Sequence, residues 1–178
     1  MNGSIVDMKS KEPHYAYLTN SLARYLQVSL GNRARVRCNL PVTLPTVELE
    51  PDIAVVRQLG FEYQLHHPYP EQIYWIVDIS ESETPRDREL RRKTYAQFRI
   101  QEYWVLILET MEVRVFGAPQ DGDYAWGMVC PPGFINPINF PDVPIDIYQL
   151  LLCDTSVIDD IDIDDIDIDD IDDVCYYI

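Results

Sequence analysis

EPDIAVV, Glu50 to Val56, and IYWIVDIS, Ile73 to Ser80, are the two stretches that decide how this chain is read. Each is an apolar run of strand length with one acid at an end: Asp52 just before the first, Asp78 near the close of the second. Short continuous apolar runs bounded by turn residues predict strands covered on both faces. Carboxylates in such surroundings are costly unless something positive lies between them. If the two strands pair antiparallel, the start of the first lies beside the end of the second. Asp52 and Asp78 then come within reach of one ion. A hard divalent cation, magnesium or manganese, suits such a pair, completed by a carbonyl and waters.

Outward toward the N-terminus, Pro13 suits a first helical position. His14 to Leu30 has helical spacing, with Leu18, Leu22, Tyr25, Leu26 and Leu30 on one stripe and Gly31 as a stop. His14 in the first turn reads as a surface histidine. Ala34 to Leu40 alternates, which predicts a half-buried strand with Arg33, Arg35 and Arg37 on a basic outer face. Pro41 and Pro45 break the chain before the first acidic strand. Residues 57–72, with Gly60, Pro68 and Pro70, read as a long irregular connection. His66 and His67 within it are adjacent, and adjacent side chains on an extended chain point apart, so joint chelation is disfavoured.

After Asp78 comes TPRDRELRRKTYAQF. Thr84 as N-cap, Pro85 at the first position and Asp87 at the third predict a helix to about Phe98. YWVLIL and EVRVFG then read as a hairpin, Tyr124 to Val129 as a further strand, and residues 131–151 as a turn-rich return that packs on the body. Tyr74 and Trp75 in the second acidic strand, and Tyr103 and Trp104 here, could stack on bases, but their places in strands favour core packing.

The formal net charge of −16 is unevenly spread. From Asp154 onward there are 11 Asp and no Lys or Arg, which leaves residues 1–153 at −5. A mildly acidic body gives little electrostatic pull on nucleic acid, yet its bases cluster at Arg33, Arg35, Arg37 and again at Arg86, Arg88, Arg91, Arg92, Lys93, Arg99. The tail, IDDIDIDDIDIDDIDD, has a five-residue period that fits neither helix nor strand, and its repelling acids predict disorder. One domain over 1–153 and an acidic tail over 154–178 is the expected organisation. Cys38, Cys130, Cys153 and Cys175 show no metal or redox spacing, which favours free thiols in a reducing compartment. No stretch resembles a signal peptide or the roughly 20 apolar residues of a membrane span. A cytoplasmic protein with no membrane partner is expected.

Taken in order, EPDIAVV, IVDIS, D-x3-R-x3-Y-A and EYWVL resemble the PD-(D/E)xK nuclease superfamily, and within it the large bacterial branch of restriction-endonuclease-like proteins. The resemblance runs from His14 to about Leu151. It implies an α/β fold, a restriction-endonuclease-like mixed β-sheet flanked by helices, and magnesium-dependent cleavage of DNA. Asp52 stands at the PD acid and Asp78 at the (D/E) position, with the backbone carbonyl of Ile79 as a third metal ligand. Glu50 shares parity with Asp52 and could join through water, or lie on the surface.

Two positions depart from the pattern. Ser80 stands where the lysine of the motif would follow Asp78. In this branch the lysine moves to the next helix, four residues before the tyrosine of the YA pair, and that position here is Arg91. Lys93 is the nearest lysine, but two helical steps turn it nearly opposite to Arg91. Arg91 is the expected site cation and Lys93 the alternative. A guanidinium stabilises negative charge but stays protonated and cannot act as a base. A homodimer, frequent among enzymes that cut both DNA strands, is compatible with the sequence. Two expectations compete with the nuclease reading: a non-catalytic domain for DNA binding or protein interaction on the same scaffold, and a structural role for both acids, as helix caps or buried ion pairs.

Overall fold

The computed structural model describes residues 13–80, 84–146, 149 and 151. The acidic tail, Cys153 and Cys175 lie outside the described residues, and so does Glu81 to Glu83. Helix α1 spans Pro13–Leu30, followed by strand β1, Arg35–Cys38. A small hairpin follows, β2 Val42–Leu44 and β3 Val47–Leu49, and then β4, Ile53–Val56. Two 3-10 turns, Gly60–Gln64 and Pro70–Gln72, lead into β5, Ile73–Ser80. Helix α2, Pro85–Gln97, connects to β6, Glu102–Ile107, then β7, Glu112–Gln120, and β8, Asp123–Cys130. Two-residue strands β9, Phe134–Ile135, and β10, Ile145–Asp146, close the described chain.

Six strands form one mixed sheet in the order β1-β4-β5-β6-β7-β8. Only β5 and β6 run parallel, because only they are joined by a helix long enough to cross over. The expected antiparallel pairing of the two acidic strands is present, with Ile53 opposite Val77. Alternation along β4 and β5 divides the core. Ile53, Val55, Trp75, Val77 and Ile79 pack with the α1 stripe, Leu18, Leu22, Leu26 and Leu30. Ala54, Val56 and Ile76 pack on the other face with Tyr95 and Ala96 of α2, and with Tyr103, Val105 and Ile107 of β6. This two-sided cover is why both acidic strands read as unbroken apolar runs. The fold is α/β, a mixed sheet flanked by two helices.

The sheet departs from expectation in two places. Arg37 is not on a solvated outer face but buried at 7% exposure. The segment that returns from β4 covers it: its guanidinium lies over the Tyr63 ring at 5.4 Å and its Nη2 is 3.5 Å from His67 Nδ1. Residues 41–49 also form a hairpin rather than a simple break, with Val42 and Leu44 buried against the α2 side of the core. His66 and His67 do diverge: His66 stacks on Tyr69 at 4.7 Å while His67 turns to Arg37.

The far edge is built from glycines facing aromatics. Strands β7 and β8 are joined by Asp121 and Gly122, both at positive φ as a tight two-residue hairpin requires. Gly117 pairs with Trp126, and Phe116 with Gly127. A Cβ on Gly117 would fall 2.2 Å from the Trp126 ring, so that indole occupies the space of the missing side chain.

Candidate active site

Asp52 sits where β4 begins, pinned by the Asn39 N–H, which donates to the Asp52 carbonyl at 3.0 Å. Asp78 sits on β5, on the face toward α2, and is 2% exposed. The register of β4 and β5 brings the two together. The Asp52 N–H approaches Asp78 Oδ1 at 3.4 Å, and the Ile79 N–H donates to Asp52 Oδ2 at 2.6 Å. The carboxylates therefore interlock across the strand pair.

Tyrosines fix them from both sides. The Tyr15 hydroxyl, on α1, donates to Asp52 Oδ1. The Tyr103 hydroxyl, on β6, donates to Asp78 Oδ2 at 2.9 Å. Burial, then the neighbouring carboxylates, raises the pKa of both phenols above the ordinary tyrosine range. They stay protonated and act as donors. Tyr95, on α2, packs its ring 4.9 Å from that of Tyr103, and its buried hydroxyl has no hydrogen-bond partner among the described residues.

Of the two α2 cations singled out by sequence, Arg91 is the one that reaches Asp78. Arg91 Nη1 lies 2.9 Å from Asp78 Oδ2. Lys93 points away and pairs with Glu89 at 2.6 Å on the exposed side of the helix. Helical phase separates the two as their two-residue spacing predicts. Even beside Arg91, Asp78 is pushed up to about 6: burial outweighs the arginine, and Asp52 adds repulsion. Ser80, one strand position beyond Ile79 and buried, accepts from Arg88 Nη1 at 3.3 Å. Glu50 is exposed. His14 is exposed at the start of α1.

Tyr15 and Tyr103 were not singled out as site residues by sequence. Tyr15 lies three residues before Leu18 on the buried stripe of α1, and Tyr103 is a buried phenol in a strand. A buried tyrosine hydroxyl needs a partner, which is the signal that could have found them.

Among the described residues no group of three His, Cys, Asp or Glu side chains comes together to hold an ion. That disfavours a protein-only cage such as structural zinc takes. Two carboxylates lie side by side, and burial first, then repulsion from Asp52, keep Asp78 raised despite Arg91. Magnesium is bound through one or two carboxylates and keeps several waters. The residues fit such an ion.

The sequence profile of the Uma2 family, described as "Putative restriction endonuclease", matches residues 1–133. Five solved protein chains match the fold. One is the crystal structure of a putative nuclease of DUF820 from Anabaena variabilis ATCC 29413. It covers 80% of this chain and 82% of its own, with a TM-score of 0.66 and 14% sequence identity. No functionally curated protein matches in sequence. The profile spans both acidic strands, α2 and the β6–β8 meander, and the chain accordingly belongs to the Uma2 family.

Proposed function

We propose that this nuclease-fold protein is a metal-dependent DNA endonuclease that hydrolyses phosphodiester bonds. The observation that carries the reading is the interlocked Asp52–Asp78 pair with Arg91 beside it. Asp52, Asp78 and the Ile79 carbonyl would hold magnesium or manganese. Once bound, that ion would polarise the phosphodiester and supply hydroxide at neutral pH. The protein's own groups do the rest. Tyr15 and Tyr103 hold the carboxylates at fixed orientations, so little reorganisation is needed when substrate arrives. Arg91 stabilises charge that builds on the phosphate oxygens, but takes no proton. Asp78 has to give up Arg91, at least in part, to serve an ion and a phosphate.

The test is plasmid cleavage with magnesium or manganese. Asp52→Asn and Asp78→Asn are each expected to abolish nicking. Arg91→Ala should slow it by about 10²–10³-fold, the usual cost of removing one transition-state donor. Intact plasmid with the wild-type protein, together with no metal binding by calorimetry, defeats the reading. The Arg91–Asp78 ion pair also favours a second reading, a DNA-binding or protein-interaction domain without turnover, because the guanidinium already neutralises one metal-facing acid. An Asp78→Asn protein that still binds DNA but no longer cuts it counts against that alternative.

A further inference from the structure

On the same sheet face as Asp78, the other flank of α2 forms a cleft of about 210 Å³ against β6 and β7. Its walls carry three arginines, Arg88 and Arg92 from α2 and Arg114 from β7, over an apolar floor of Val105, Ile107 and Phe116. Nothing in the arrangement of Asp52, Asp78 and Arg91 needs these groups. We infer that this cleft binds a backbone phosphate of the DNA strand, close to the bond held at the acid pair. The inference rests on DNA being the partner in the reading above, and adds where the strand runs.

The arginines are held ready rather than left loose. Arg92 Nη2 is 2.7 Å from Asp123 Oδ2, and its guanidinium lies 5.3 Å over the Phe116 ring. The buried Arg92 Nε finds no acceptor among the described residues. Arg114 uses Nε and Nη2 on Glu112 Oε2, at 3.2 and 2.8 Å. A guanidinium has five N–H donors in a fixed fork, so one carboxylate on one edge orients the group without saturating it. Glu89, the acid on the cleft wall, is paired with Lys93.

Position supports a path along the strand. Arg88 reaches Ser80, which lies two residues beyond Asp78 on β5, roughly 6.6 Å along the strand. Arg88 and Arg92 flank Arg91 on α2. The row Arg91, Arg88, Arg92, Arg114 therefore leads from the acids into the cleft. Each nucleotide of a strand carries one phosphate, so a cleft this near the acids suits a phosphate close to the bond held there.

Binding of the full chain to a labelled DNA duplex, in EDTA and across a salt series, tests the inference without turnover. Removing one phosphate contact should weaken binding regardless of DNA sequence and lower the salt slope by about 0.9. Arg114→Gln is expected to do this, and Arg114→Lys, which keeps the charge, to preserve the slope. Arg33→Gln, a matched loss at the Asp142 pair beyond α1, should leave it unchanged. Arg114→Gln binding like wild type overturns the inference, and so does an equal loss in Arg114→Lys, which would make the effect structural. Plasmid cleavage by the wild type separates the two ideas. Cleavage with an indifferent cleft sinks only the cleft, and cleft-dependent binding without cleavage sinks only the nuclease.

Discussion

Asp78 carries its carboxyl where water hardly reaches, with one arginine, one phenol and the Asp52 N–H to hold it. A carboxyl raised from its ordinary 3.8 to about 6 costs on the order of 3 kcal/mol once ionised. The folded state holds that proton more tightly than the unfolded chain does. Its contribution to stability is therefore full below 3.8, is lost as pH rises through about 6, and stays lost above. Asp78→Asn removes the charge and keeps an acceptor for Tyr103. Its melting temperature is expected to exceed wild type at neutral pH, with the gap closing in acid. Added manganese should raise the melting temperature of the wild type and not of the variant, since only the former gains by binding. Differential scanning fluorimetry across pH checks both. A variant less stable than wild type at neutral pH would show that the Arg91 contact outweighs the desolvation of Asp78.

Helix α2 has the task of setting a cation over β5 while presenting arginines to β6 and β7. Its start is defined by side-chain chemistry. Thr84 Oγ1 accepts from the Asp87 N–H at 3.2 Å and donates to Asp87 Oδ2 at 2.7 Å, with Pro85 at the first helical position. Only Tyr95 and Ala96 of the helix are fully buried, so the cap is a large part of what fixes its first turn. Thr84→Ala should cost about 1 kcal/mol, a fall of about 2–4 °C in melting temperature for a chain of this size. Thr84→Ser should restore it. If the alanine variant melts like wild type, packing alone holds the helix start.

At the scale of the molecule, the sequence was most readable where periodicity is set by burial. The α1 stripe, the two unbroken acidic strands, the β6–β7 hairpin and the capped α2 all follow from local pattern, and their pairing placed Asp52 beside Asp78. Helical phase was enough to put Arg91 at the acid and Lys93 away from it. Alternation along β1, by contrast, tells which side chains share a face but not what covers that face. So Arg37 read as solvated and is buried beneath the segment between β4 and β5. The β2–β3 hairpin escaped because three-residue strands beside Pro41 and Pro45 carry too little pattern. Which hydroxyls hold the acids depends on contacts that cross the sheet, and no local spacing encodes them.

The glycine–aromatic edge of β7 and β8 also gives the protein a built-in optical probe. Of its three tryptophans, Trp75 and Trp104 are wholly enclosed, whereas Trp126 is 40% exposed, its ring filling the space beside Gly117 on the sheet face opposite to Phe116. A soluble collisional quencher should therefore dim only one class of emitter in the native state. Stern–Volmer plots are expected to curve downward for the native protein and to straighten in denaturant. A linear native plot would mean that the indole is sealed in solution. Because Gly117 and Phe116 point to opposite faces of β7, Trp126 shares the face of Val113 and Val115, and a DNA strand lying in the cleft should leave its quenching unchanged.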